Sequence, residues 1–176
     1  MTKYVMLILV VLLANVTRAT TMELDLGSGD VLVIDAPQNI LVKNVPATQG
    51  KPLIVKLADT NGQCEMRLMF ATPAAIPTKE EMKTNMLTSG ARLLTNSEEK
   101  QIEIKELPSK SLTFVYFELA DKRQNAKDGR FMLQGIGTDG KKYMFQYMML
   151  SNLKDSNAKT QILETISKMR IEKKKK

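Results

Sequence analysis

The stretch RFMLQGIGTDGKKYMFQYMMLS, residues 130–151, decides the fold of this chain. Two runs rich in β-forming residues, 130–138 and 141–151, flank the turn-forming sequence TDGK at 138–141, and this pattern predicts a long antiparallel hairpin. Because side chains alternate between the two faces of a strand, one face of the returning strand is strongly aromatic and should pack across the pair. That face carries Tyr143, Phe145, Tyr147 and Met149.

Other parts of the chain have the same alternation of strand and turn residues. Residues 112–119 are apolar on both faces near Val115, which predicts a strand that is covered on both sides. Short hairpins are predicted around the glycine-containing turns at 27–30 and 59–62. Residues 101–107 are also rich in β-formers and predict one more strand.

Two helices are predicted, one in the middle of the chain and one near its end. Thr78 and Glu81 have the spacing of a capping box. The second helix is predicted over 157–170, with Ser156 or Asn157 as its N-cap. The expected apolar positions are Met82, Met86, Leu87 and Leu93 in the first helix and Ile162, Leu163, Ile166 and Met169 in the second.

The order of these elements predicts the fold class. Strands follow strands without helices between them, so the sheet should be antiparallel. We therefore expect an α+β domain: a mainly antiparallel β-sheet of about six to nine strands, with the mid-chain helix and the C-terminal helix packed on it. Residues 20–172 are assigned to this single domain and residues 173–176 to a basic tail.

Residues 1–19 have the character of a secretory signal peptide. Lys3 supplies the positive start, an apolar run extends over 4–14, and the small residues Thr17 and Ala19 suit a signal peptidase. The run is shorter than the about 20 apolar residues of a transmembrane helix. We expect a cleaved leader, with an uncleaved anchor as the alternative, and a secreted protein that is periplasmic if its source is Gram-negative.

The net charge of +7 lies mostly outside the predicted domain. Six of the seven excess positive charges belong to the leader and to the tail, so the domain itself is almost neutral. We therefore expect no nucleic-acid partner, since such proteins carry their charge as a patch on the folded surface. The tail is either a solvated terminus or a weak contact with an anionic membrane, made through Lys173, Lys174, Lys175 and Lys176.

The absence of histidine and the single cysteine, Cys64, exclude several chemistries. Neither a Ser–His or Cys–His catalytic pair nor a Cys-rich zinc site can form. Cys64 lies in an alternating apolar run, which predicts a buried thiol, with an intermolecular disulfide as the alternative. The twelve methionines offer thioethers that copper(I) accepts, but core packing accounts for them better. We assign no catalytic residue, cofactor or metal site.

Three motifs match known sites without the context that those sites need. Residues 135–140 match GxGxxG, but a strand follows where a dinucleotide site needs a helix. Residues 97–100 match SxxK, yet their two acids predict a solvated loop, and the KTG triplet of such acyl-enzymes is missing. The acid pairs at 80–81 and 98–99 are predicted to lie at a helix start and in a loop. The catalytic carboxylates of a glycosidase instead come from separate elements that face one cleft.

A family resemblance runs through the C-terminal half, over about residues 110–170. Its stretches are FVYFELADK at 114–122, GRFMLQG at 129–135 and MMLSN at 148–152, before a final helix. This pattern resembles small secreted bacterial proteins of unassigned function and the PsbP-like α/β/α superfamily, which includes DcrB-like periplasmic proteins. The chain departs from it at Leu133 and Ser151, where threonine is expected. The resemblance implies an α/β/α sandwich and a non-catalytic accessory role, and no binding residue carries over from it.

The leading functional hypothesis is a non-catalytic accessory protein that binds another envelope or secreted protein through its sheet or a sheet edge. One alternative is a carrier of a small molecule or lipid, with a pocket between sheet and helix; another is a carboxylate-based envelope enzyme. An exposed apolar patch favours the protein binder. A large enclosed apolar cavity favours the carrier, and two acids that face each other in an open cleft favour the enzyme.

Overall fold

The computed structural model describes residues 20–27, 29–46, 52–123 and 129–174, which form ten strands and two α-helices. The α+β fold dominated by antiparallel sheet is therefore confirmed. The predicted signal peptide, residues 1–19, lies outside the described residues. Neither of the two described helices has the length and apolar character needed to cross a bilayer.

The strands follow the predicted hairpins closely. They are β1 (Thr20–Gly27), β2 (Asp30–Ala36), β3 (Ile40–Val45), β4 (Ile54–Asp59), β5 (Cys64–Ala71), β6 (Lys105–Glu106), β7 (Thr113–Ala120), β8 (Phe131–Thr138), β9 (Met144–Ser151) and β10 (Arg170–Lys173). The helices are α1 (Lys79–Ala91), which begins with the predicted capping box, and α2 (Asn157–Ser167), which Ser156 caps.

The strands form two antiparallel sheets. The large sheet has the order β3-β4-β5-β9-β8-β7-β6, and the small sheet has the order β1-β2-β10. The inner face of the large sheet packs on the small sheet and on α2 in one continuous apolar core. Its opposite face, called the outer face here, packs on α1 in a second and smaller core.

Two glycines of β8 allow the aromatic residues of β9 to lie flat on the inner face. Gly135 is directly opposite Tyr147, and Gly137 is opposite Phe145. A Cβ atom on either glycine would come within 2.2 Å of the facing ring, so only glycine fits there. The aromatic packing predicted for this hairpin is confirmed, and the glycines of the GxGxxG match belong to a strand and its turn.

Two predicted boundaries are wrong. Of residues 101–107, only Lys105 and Glu106 form a strand, which pairs with β7. Ile102 and Ile104 pack against the second core without belonging to a strand. The last helix ends at Ser167 rather than at Arg170. The chain then forms β10, which pairs with the edge of β2 opposite to β1. Lys173 of the expected tail therefore lies in a strand.

A buried carboxylate ties the small sheet to the hairpin of β8 and β9. Asp30 receives hydrogen bonds from Lys142 Nζ at 3.1 Å and Tyr143 Oη at 2.9 Å, and Lys173 Nζ lies 2.6 Å away. The bond from Lys173, followed by those from Lys142 and Tyr143, holds the pKa of Asp30 well below its usual range. The first lysine of the predicted tail therefore has a structural role.

Candidate functional site

The outer face of the large sheet has two unlike halves. In the covered half, formed by β7 and β8, α1 lies over the strands. The open half consists of the outward side chains of β3, β4, β5 and β9. The buried side chains of the second core all come from the covered half or from α1. They are Met82, Met86, Val115, Phe117, Leu119 and Ile136.

The open half carries most of the exposed apolar side chains of the described residues. Five of the eight exposed large hydrophobic side chains belong to it. They are Val45 at 59% exposure, Leu41 at 47%, Met69 and Met148 at 41% each, and Leu150 at 39%. Monomeric proteins expose single apolar side chains widely, but a group of them on one face marks an interaction surface.

The strand register arranges the open half in three rows across the strands. Its first row is apolar up to Gln146 and its middle row is basic up to Met148. The third row contains two apolar residues, an alanine and one acid. In the order of the strands, the rows are Val45, Ile54, Met69 and Gln146; Lys43, Lys56, Arg67 and Met148; and Leu41, Ala58, Glu65 and Leu150.

Ion pairs hold the centre of the open half in place. Glu65 lies 2.5 Å from Lys56 Nζ and 2.7 Å from Arg67 Nε. Partial burial raises the pKa of Glu65, but the hydrogen bonds from Lys56 and Arg67 outweigh it and the pKa is lowered overall. One carboxylate thus pairs with two basic groups while Lys43 lies opposite Lys56, so the centre of the open half is positively charged.

A second candidate site, the end cleft, lies where β7 ends and β8 begins. It has a volume of about 360 Å³ and extends between residues 99–105, the strand ends and α2. Leu133 and Met149 form part of its floor. Its charged lining residues are Glu99, Lys100, Glu103, Lys105, Glu118, Lys154 and Lys159. Sequence reasoning missed this site because its residues come from separate elements with no shared motif.

Two of the three acids of the end cleft, Glu99 and Glu118, are held in their ionised form. Glu118 accepts hydrogen bonds from Lys105 Nζ at 3.0 Å and lies 2.7 Å from Lys159 Nζ. Burial raises the pKa of Glu118, but bonds from Lys159 and Lys105 outweigh it and the pKa is lowered. Glu99 likewise has a lowered pKa, since Ser97 Oγ and the Ala120 amide outweigh its partial burial. A glycosidase-type pair needs one acid of raised pKa.

The SxxK match lies in a loop, as predicted, in which Glu98 and Lys100 are exposed but Ser97 is not. Ser97 is buried, and its hydroxyl donates to the Glu99 carboxylate. The neighbouring Glu98 pairs with Arg130 at 2.7 Å. These bonds anchor the segment against the strand ends, so that Glu99 reaches the end cleft. The other acid pair lies at the start of α1 as predicted, where Glu81 completes the capping box.

The sulfur-containing residues pack in the core or lie on the open half. Cys64 is buried on the inner face, as predicted, and burial raises the pKa of its thiol to about 11. Four methionines belong to the second core or pack against it, namely Met82, Met86, Met132 and Met144.

Leu87 and Leu93, expected in the apolar stripe of α1, are instead exposed.

The chain matches no protein-family model, and no curated protein is significantly similar to it in sequence. The resemblance to PsbP-like proteins therefore stays a prediction that rests on the residues quoted for it.

Proposed function

We propose that this chain is a secreted, non-catalytic accessory protein that binds another envelope or secreted protein through the open half of its outer sheet face. The observation that carries the proposal is the concentration of exposed apolar side chains there: five of eight in the described residues share this one face. A solvated sheet face normally carries polar side chains. Apolar residues on such a face cost little in folding and favour association.

The charge pattern indicates the chemistry of the partner. The basic centre of Lys43, Lys56 and Arg67 lies between two rows that are mainly apolar. A complementary surface carries acidic side chains opposite this centre and apolar side chains opposite Met69 and Met148. Such charge complementarity speeds association and rejects wrong partners, while the buried apolar contacts supply most of the affinity.

The catalytic alternative has weaker support. Of the three acids that line the end cleft, Glu99 and Glu118 have lowered pKa values. An acid that is ionised at neutral pH does not serve as a proton donor. The Cys64 thiol has a raised pKa and is buried, which opposes its use as a nucleophile.

Capture of the partner tests the proposal. The full-length protein is produced with its own leader in the cells that naturally make it, crosslinked briefly and isolated from the envelope. We expect a stoichiometric protein partner with the wild type and none with the double variant Met69→Asp/Met148→Asp. The variant Leu87→Asp, which changes an equally exposed side chain on α1, should keep the partner. Equal capture by all three proteins would contradict the proposal.

The mass of the isolated protein tests the location. A secreted chain that has lost its leader begins at Thr20. A chain that still begins at Met1 and stays in the cytoplasm would contradict the proposed secretion.

A further inference from the structure

The end cleft carries an excess of positive charge beside an apolar floor. Lys105 and Lys159 share the single carboxylate of Glu118. The side chain of Lys159 is only 15% exposed, so its charge is poorly screened by water. Two ammonium groups on one half-buried carboxylate leave a net positive charge, which attracts an anion more strongly here than at the open surface.

Two further lysines at the cleft form no ion pair within the described residues. Lys100 and Lys154 line the cleft, and both are exposed. The backbone carbonyl of Lys154 accepts a hydrogen bond from Lys159 Nζ at 3.1 Å, which places the two lysines beside each other on one wall. Glu99, an acid of the lining, accepts hydrogen bonds from Ser97 Oγ and the Ala120 amide, and the charge of Lys154 also contributes to lowering its pKa.

The floor of the cleft is apolar and formed by the sheet itself. Leu133 and Met149 are opposite each other in β8 and β9, and Phe131 extends the apolar lining. A concave site with an apolar floor and a few convergent charged groups is the usual form of a small-molecule site. The volume of about 360 Å³ is near the lower end for such sites.

We infer that the end cleft binds a small amphipathic carboxylate. Its apolar part lies on Leu133 and Met149, and its carboxylate receives hydrogen bonds from Lys154 and Lys159. Such charge-assisted bonds are about twice as strong as neutral ones, and the apolar floor selects against small polar anions. This inference concerns a site separate from the open half, so its failure leaves the proposed docking surface untouched.

Three ligands of equal chain length test the inference: decanoate, decanol and decylammonium. Each is titrated into the protein by calorimetry, and the site is located from amide shifts in NMR spectra. We expect decanoate to bind at least about tenfold more tightly than decylammonium, because the four lysines of the lining outnumber its three glutamates. The largest amide shifts should lie at 131–133 and 149–151. Equal binding of all three ligands, no binding of decanoate, or shifts centred on Met69 and Met148 would overturn the inference.

A matched pair of charge reversals sharpens the test. Lys154→Glu should weaken decanoate binding about tenfold or more, since one cation–carboxylate bond becomes a repulsion. Lys110→Glu makes the same charge change at an exposed loop residue outside the cleft lining and should leave binding unchanged. Both side chains are exposed, so both variants should fold, which thermal melting verifies. Equal affinity of the two variants for decanoate would overturn the inference.

Discussion

The covered and open halves of the outer face belong to one continuous sheet, yet they differ in what lies above them. In the covered half, α1 buries Val115, Phe117 and Ile136. In the open half, Met69 and Met148 point outward in the same way and stay exposed. The comparison separates apolar residues that hold the fold together from those that the fold does not need. The residues of the second kind are the ones whose presence calls for a functional explanation.

The difference also has a simple topological origin. The segment after β5 forms α1, which packs mainly on β7 and to a lesser extent on β8. The helix has 13 residues and is therefore about 20 Å long at 1.5 Å per residue. The open half comprises four further strands, spaced about 4.8 Å apart. A single helix of this length, docked over β7, leaves those strands to other occupants.

A matched pair of methionine truncations should show the largest contrast between the halves. Met82 is fully buried in the second core, whereas Met148 is 41% exposed in the open half. Met82→Ala should lower the free energy of unfolding by about 2–5 kcal/mol, because it leaves a cavity. Met148→Ala should change it by no more than about 0.5 kcal/mol. Urea unfolding measures both values, and similar losses would erase the distinction between the halves.

The second prediction concerns binding. Met148→Asp places a negative charge at the end of the basic row and removes an apolar contact. The new carboxylate is also repelled by the acidic side chains proposed for the partner. We expect the affinity for the captured partner to fall by about 2–4 kcal/mol, which is the range of an interface hot spot, with no change in thermal stability. Titration calorimetry with the purified partner measures this loss. Leu87→Asp on α1 is the control and should keep the wild-type affinity.

The close approach of α1 to the covered half provides a third test. A Cβ atom on Gly90 would lie 2.8 Å from Ile102 Cδ1 and 3.1 Å from Phe117 Cε1. Gly90→Ala gains up to about 1 kcal/mol of helix propensity, but overpacking costs about 1–3 kcal/mol. We expect a net destabilisation of about 1 kcal/mol, with partner binding unchanged. Thr88→Ala, at an exposed site of the same helix, is the control, and a stabilised Gly90→Ala would show that α1 is loosely packed.

The smallest effect on stability is expected from lowering the pH, which acts through Asp30 and does not distinguish the two halves. The pKa of Asp30 is lowered in the folded protein, and an unfolded aspartate has a pKa of about 3.9. Its contribution to stability is therefore complete above about pH 5 and is lost as the pH falls through 3.9 toward the folded value. Asp30→Asn should unfold more easily at pH 7, and its difference from the wild type should narrow toward pH 3. Thermal melts across this range measure the effect, and a constant difference would contradict the assignment.

Much of the fold follows from short stretches of sequence because the deciding information is local. The hairpin of β8 and β9 depends on a turn and on alternation within one segment, and the start of α1 depends on Thr78 and Glu81. Arg170 was predicted to end the last helix, since nothing local shows that β2 needs a partner strand. That pairing brings together residues far apart in the chain.

The candidate sites were less accessible to sequence reasoning. Alternation shows that Met66 and Met69 lie on opposite faces of β5, but only the docking position of α1 decides that Met69 stays exposed. The end cleft depends on Glu99, Glu118 and Lys159, which three separate segments bring together. A sequence pattern reports which residues share a face, whereas the long-range packing decides which face remains open.

Site-specific photo-crosslinking tests the central claim most directly. A photoreactive amino acid replaces Met148 in the open half or Leu87 on α1, two exposed side chains of similar accessibility. Irradiation of the cells that naturally make the protein should yield one discrete crosslinked product, with a second protein, from position 148 and none from position 87. The same products from both positions, or no product from position 148, would contradict the proposal that the open half binds a protein partner.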